Sequence, residues 1–117
     1  MEKFYRYSAK VIKIVDGDTV DAMIDLGFDI WIKRRIRFYG IDTPETRTTN
    51  LEEKEKGLLS KARVTQLIEE HDNNISIESH GVGKYGRCLA TVYVDGINVN
   101  KLLIEEGLAT HFMDDDS

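Results

Sequence analysis

The sequence predicts a mainly β domain: a five-stranded Greek-key barrel with a helix inserted after the third strand and a short helix near the C-terminal end. Three observations carry this expectation. Apolar and polar residues alternate through the first forty positions, the composition turns helix-forming over residues 52–71, and alternation returns in two further short segments. Length agrees, since 117 residues with 41% apolar side chains fill one core and not two. The expected single domain covers 1–117, with its core over 5–110 and an acidic tail at 114–117.

The elements follow in order. From Tyr5 to Val15 the β-branched residues Val11, Ile12, Ile14 and Val15, mostly bounded by polar ones, suit a strand. Asp16-Gly17-Asp18 ends it. Asp-Gly between apolar runs signals a hairpin because such a turn needs φ > 0, and Val20 to Leu26 alternates as the returning strand. Gly27 opens the next turn. In Phe28 to Tyr39, Ile30, Ile32, Ile36 and Phe38 are separated by polar or basic residues, which puts Arg35 and Arg37 on one face and Ile36 and Phe38 on the other.

Gly40 to Glu45 breaks this strand, and a polar connection leads to a helix over Glu52 to His71. Val64, Leu67 and Ile68 form an i, i+3, i+4 set, whereas Leu58, Leu59 and Ala62 fall on another side, so the helix is expected to pack on two sides. Ile75 to Ser79 and Cys88 to Val94 read as strands joined by a loop with Gly81, Gly83 and Gly86. Asn98 is an N-cap, Val99, Leu102 and Leu103 line one face of the last helix, and Gly107 ends it. Five strands with a helix between the third and fourth is the order of a partly open barrel of the OB type, a frequent nucleic-acid platform.

Sixteen basic and twenty-one acidic side chains give a net charge of −5. All the bases lie at or before Lys101, and the acidic excess sits in Glu105, Glu106 and Asp114 to Asp116. Lys33, Arg34, Arg35 and Arg37 form one basic cluster, so a negative total does not exclude a nucleic-acid partner. No apolar run approaches ~18 residues and the N-terminal stretch has no h-region, so neither a membrane partner nor a signal peptide is expected. The chain as written reads as cytoplasmic, or as secreted if a leader was removed, and as a monomer. A lone Cys88 excludes an internal disulfide and a cysteine-based zinc site. Trp31 and Met23 read as core or strand residues and His111 as a surface residue.

Two clusters carry chemistry. Asp16, Asp18, Asp42 and Glu45 stand at turns on neighbouring strand ends. Oxygen donors without histidine or cysteine suit a hard cation such as Ca²⁺, while turn-shaping is the plainer reading of Asp16-Gly17-Asp18 taken alone. Arg35, Arg37 and Arg87, with Lys84 and Tyr85 beside the last, could hold a phosphodiester, since a guanidinium fork matches phosphate oxygens; each taken alone reads as a solvated surface arginine. Together these are the parts of metal-assisted phosphodiester hydrolysis.

Val15-Asp16-Gly17-Asp18-Thr19-Val20, then Arg37-Phe38-Tyr39-Gly40-Ile41-Asp42-Thr43-Pro44-Glu45, then Lys84-Tyr85-Gly86-Arg87 with Gly107-Leu108-Ala109, resemble the staphylococcal nuclease family in order and approximate spacing over residues 8–110. The resemblance implies an OB-fold nuclease that uses Ca²⁺ to hydrolyse DNA and RNA at the 5′ P–O bond, leaving 3′-phosphates. It implies that Asp18 and Asp42 bind the metal through carboxylates and Thr43 through its carbonyl. Glu45 would face the attacking water, as general base or as the group that orients the water or supports the metal shell. Arg37 and Arg87 would contact the scissile phosphate, and Lys84 and Tyr85 a neighbouring one; Arg35, outside the resembling motifs, is expected to help position phosphate because it shares a strand face with Arg37. The family's tyrosine after Gly-Leu-Ala is replaced here by His111, Phe112 and Met113. The rival reading is a catalytically inactive barrel of this family that binds nucleic acid or a protein; the retained carboxylates and arginines favour the enzyme.

Overall fold

Strand β1 (Arg6–Asp16) pairs antiparallel with β2 (Thr19–Asp25), and β2 with β3 (Trp31–Phe38). The structure, a computed structural model, describes residues 5–112. A short strand β4 (Ile41–Asp42) precedes helix α1 (Leu51–Glu69). Strand β5 (Asn74–Val82) returns beside β1, and β6 (Cys88–Val94) beside β5. Short β7 (Ile97–Asn98), helix α2 (Val99–Glu105) and β8 (Thr110–His111) complete the chain order. The sheet order is β3-β2-β1-β5-β6-β7. Parallel pairing of Ile36 with Cys88, Arg37 with Leu89 and Phe38 with Ala90 joins its ends. The fold is the expected OB-type barrel, closed by this seam rather than partly open.

Alternation places Val11, Val20, Ala22, Ile24, Ile36, Ile77 and Val92 inside, where α1 covers them with Val64, Leu67 and Ile68 and α2 with Val99 and Leu103. Burying each such Val, Leu or Ile side chain contributes about 1.5–3 kcal/mol. Two-sided packing of α1 does not occur. Its buried stripe is Gly57, Ser60, Val64, Leu67 and Ile68, while Leu58 and Leu59 are exposed. The N-terminal half of the stripe is made of small residues, which hides it from a hydrophobic pattern.

Both helices are capped as their residues dictate. Asn50 accepts the Glu53 N–H at 3.1 Å, and Asn98 accepts that of Lys101 at 3.0 Å. Gly107, at φ 75°, ends α2 with the paired bonds Leu108 N–H to the Leu103 carbonyl (2.8 Å) and Gly107 N–H to that of Ile104 (3.0 Å). Buried Asn100 holds α2 to the barrel by accepting the Val92 N–H and donating to the carbonyls of Tyr39 and Ala90. Among the described residues no helix is long and apolar enough to cross a membrane.

Candidate active site

A cleft of about 460 Å³ opens where the β1–β2 turn, the segment after β3 and the loop before β6 meet. Of the residues singled out above, Asp16, Asp18, Arg37, Asp42, Thr43, Glu45, Lys84, Tyr85 and Arg87 line it; Arg35 does not.

Arg37 lies at its centre. Seated at the β3–β6 seam, it is 7% exposed, not the solvated residue that strand alternation alone suggests. Its guanidinium stands 3.3 Å from Asp18 Oδ2 and 3.6 Å from Asp42 Oδ1, and Nη1 donates to the Phe38 carbonyl at 3.0 Å. Asp18 is also buried, accepting from the Thr43 N–H at 3.1 Å and the Thr19 hydroxyl at 2.9 Å. One carboxylate thus links the turn after β1 to the strand break after β3. Burial first, and then the negative charge of Asp18, raise the Asp42 carboxyl above its ordinary range; Arg37 opposes them and Glu45 adds to them.

Arg87 donates through Nε to the Lys84 carbonyl at 3.3 Å, and its guanidinium lies 5.9 Å from the ring of Tyr85. Tyr85 adopts φ 62° in the turn before β6 and is 92% exposed. Phe112, one of the three residues standing in place of the family's tyrosine, lines the same cleft with its ring 5.5 Å from the Arg37 guanidinium. It is brought there by its N–H, which donates to the Gly40 carbonyl at 2.9 Å, and by the β4–β8 pairing of Ile41 with His111. An aromatic wall is therefore present without the tyrosine. Met113 and Asp114 to Asp116 lie outside the described residues.

Arg35 is held elsewhere because its cross-strand partner is Asp21. Its Nε and Nη2 donate to the two Asp21 oxygens at 2.8 and 3.2 Å. His71 and His80 have structural partners, the Leu67 carbonyl at 3.0 Å and the Thr91 hydroxyl at 2.8 Å.

Helix α1 sets the positions of both carboxylate-bearing turns. Gly17 lacks the positive φ its hairpin was expected to need; the reason for glycine is space, since a Cβ there would stand 2.7 Å from Ser60 Cβ. Ser60 in turn donates to the Leu108 carbonyl at 2.6 Å. One turn earlier, a Cβ on Gly57 would stand 2.6 Å from the Pro44 carbonyl oxygen and 2.7 Å from that of Glu45. The Thr46 hydroxyl donates to Asp16 at 2.6 Å, tying the Glu45 loop to the hairpin. Gly57 in the middle of a helix-forming run was the available sequence signal for this contact.

The family model described as "Staphylococcal nuclease homologue" matches residues 35–117. The chain belongs to the staphylococcal nuclease homologue family. Its similarity extends to the SPbeta prophage-derived endonuclease YokF of Bacillus subtilis, 35% identical over 98 residues, which are 83% of this chain and 31% of that protein. Endonuclease YncB of the same organism is 33% identical over 98 residues, 83% of this chain and 44% of that protein. An "Uncharacterized endonuclease" of Haemophilus influenzae is 28% identical over 102 residues, 87% of this chain and 51% of that protein. The chain thus spans about a third to a half of these relatives' lengths. The matched stretch begins after Asp18, which reaches the site through the Thr43 hydrogen bond and through the Phe38 N–H donating to its carbonyl at 2.8 Å.

The family's resident metal is Ca²⁺, and the donor set fits a hard cation: Asp18, Asp42, Glu45 and backbone carbonyls are all oxygen. The Thr43 hydroxyl is buried and lacks a hydrogen-bond partner among the described residues, and Asp42 is electrostatically under-compensated. No three His, Cys, Asp or Glu side chains among the described residues form a metal-holding group by themselves, so carbonyl and water ligands would have to complete the shell.

Proposed function

We propose that this domain is a calcium-dependent endonuclease that hydrolyses DNA and RNA at the 5′ P–O bond and leaves 3′-phosphates. The observation that carries the reading is Arg37, buried between Asp18 and Asp42 in a cleft that also holds Glu45 and Arg87. The endonuclease relatives support the same reaction class.

Calcium, held by Asp18, Asp42 and the Thr43 carbonyl, would polarise a phosphoryl oxygen. Glu45 accepts a proton from the attacking water, or orients it, as the water oxygen bonds to phosphorus. The 5′ P–O bond breaks, and the departing oxygen takes a proton to become a 5′-hydroxyl. Arg37 and Arg87 stabilise the charge that develops on the phosphoryl oxygens, with Arg87 assigned to the leaving side. Lys84 and Tyr85 hold a neighbouring phosphate, and Phe112 offers a face to a base.

Digestion of single-stranded DNA and of RNA with Ca²⁺, with Mg²⁺ and with chelator, followed by end-group analysis, tests this. Calcium should support cleavage to 3′-phosphates, Mg²⁺ should support it poorly because it demands a tight octahedron, and chelator should abolish it. Binding without cleavage in every condition would instead establish the inactive barrel.

A further inference from the structure

The outer face of the β1–β2–β3 meander carries groups that the cleft does not use. Positions 31, 33, 35 and 37 of β3 alternate onto this face, and an unbroken register sets Asp25 beside Trp31, Met23 beside Lys33 and Asp21 beside Arg35. Across β2, Lys10 pairs with Met23, and a bulge at Ile12 brings Lys13 opposite Asp21. Lys10, Lys13, Lys33 and Arg35 therefore share the face with three carboxylates, Asp21, Asp25 and, at the cleft end through Thr19, Asp16, a small local positive excess in a chain of net charge −5. The Arg35 hydrogen bond first, then the Arg35 charge and, after it, those of Lys33 and Lys13 lower the Asp21 carboxyl below its ordinary value against the opposing effect of burial. Trp31, expected as core or strand, lies in the strand but is 48% exposed.

The row leads into the cleft. Trp31 is six residues from Arg37, about 20 Å at ~3.4 Å per residue, with Lys33 between them. One exposed aromatic, Trp31, set beside a row of cations has the composition of a short surface for unpaired nucleic acid, in which a base stacks and ammonium groups hold phosphates. Arg35 is engaged by Asp21, so the phosphate contacts fall to Lys33 and Lys13.

We propose that this face is a second binding surface, for single-stranded polynucleotide continuing out of the cleft, with Trp31 stacking a base and Lys33 and Lys13 holding phosphates. Its continuity with the cleft rests on the nuclease reading. Because stacking needs an unpaired base, duplex is bound less well than single strand.

Trp31 is the single tryptophan, so its fluorescence reads this face directly. The full chain is titrated in chelator, which keeps the ligand intact, with oligothymidylates of about 12 and about 3 nucleotides. The long oligonucleotide should quench Trp31 and the short one should not. Lys33→Glu, and separately Lys13→Glu, should weaken the long ligand at least about fivefold and flatten its log–log salt slope by about 0.7. Circular dichroism checks that both variants fold, and the wild-type quenching result stands without either. Equal quenching by both lengths, no quenching, or charge reversals without effect would overturn the proposal. Quenching that rises with protein concentration alone, with a dimer in sedimentation, would also overturn it by assigning the face to a second copy. Cleavage of the short oligonucleotide in Ca²⁺ is scored separately: its absence with quenching retained removes only the nuclease reading, and its presence without quenching removes only this surface.

Discussion

Gly17 in the β1–β2 turn and Ser60 on α1 lie closer than two side chains allow, since a Cβ on Gly17 would stand 2.7 Å from that of Ser60. Gly17→Ala is therefore expected to destabilise the fold by about 1–3 kcal/mol through overpacking, with no contribution from backbone strain. Urea unfolding measures this, and an unchanged midpoint would mean that the turn does not rest on α1.

Gly57→Ala opposes two effects. In an exposed helix the change gains about 0.8–1 kcal/mol of propensity, but here the new methyl meets the backbone oxygens of Pro44 and Glu45 at 2.6 and 2.7 Å. Backbone cannot swing aside as a long side chain would. The variant is expected to lose stability and to lower kcat by displacing Glu45; a raised melting temperature with normal turnover would refute the contact's role.

The strands and the second helix's cap were legible because each depends on its own segment: alternation gives β1 to β3, and Asn98 caps the helix it precedes; Asn50, which caps α1, was absorbed into the polar connection before it. Most of the site's residue types were legible too, as acidic and basic side chains at turns. What escaped depends on contacts between distant segments. Arg37 is buried because β3 meets β6, Phe112 enters the cleft because β8 pairs with β4, and Gly17 and Gly57 are glycines because α1 lies against two loops. Arg35 looked equivalent to Arg37 by alternation, and only the register that sets it beside Asp21 separates them.

The Asp21–Arg35 pair gives a pH dependence of defined sign. The Asp21 pKa is lowered in the fold, chiefly by the Arg35 hydrogen bond, so its stabilisation is complete above the ordinary carboxylate pKa and is lost as pH falls through the lowered one. Arg35→Ala should cost less than about 1 kcal/mol near neutrality, as befits a partly exposed pair, and nothing once Asp21 is protonated. Denaturation of both proteins across acid pH checks this; a difference that grows on acidification would contradict it.

Asp42→Asn should separate metal affinity from metal-free stability. Calcium affinity is expected to fall at least about tenfold, with activity partly restored at high calcium. The metal-free fold should lose no stability, because burial and Asp18 disfavour the Asp42 charge. Calorimetric calcium titration and thermal unfolding in chelator read the two effects.

On the proposed reading, Glu45 and Arg87 act on a phosphodiester held in the Arg37 cleft. The most direct test is single-turnover cleavage of a defined oligonucleotide at saturating Ca²⁺ by wild type, Glu45→Gln and Arg87→Ala, each first shown to be folded. Each substitution is expected to slow cleavage at least ~10²-fold, the scale of a lost general base or charge stabiliser. Near-wild-type cleavage by either folded variant would contradict it.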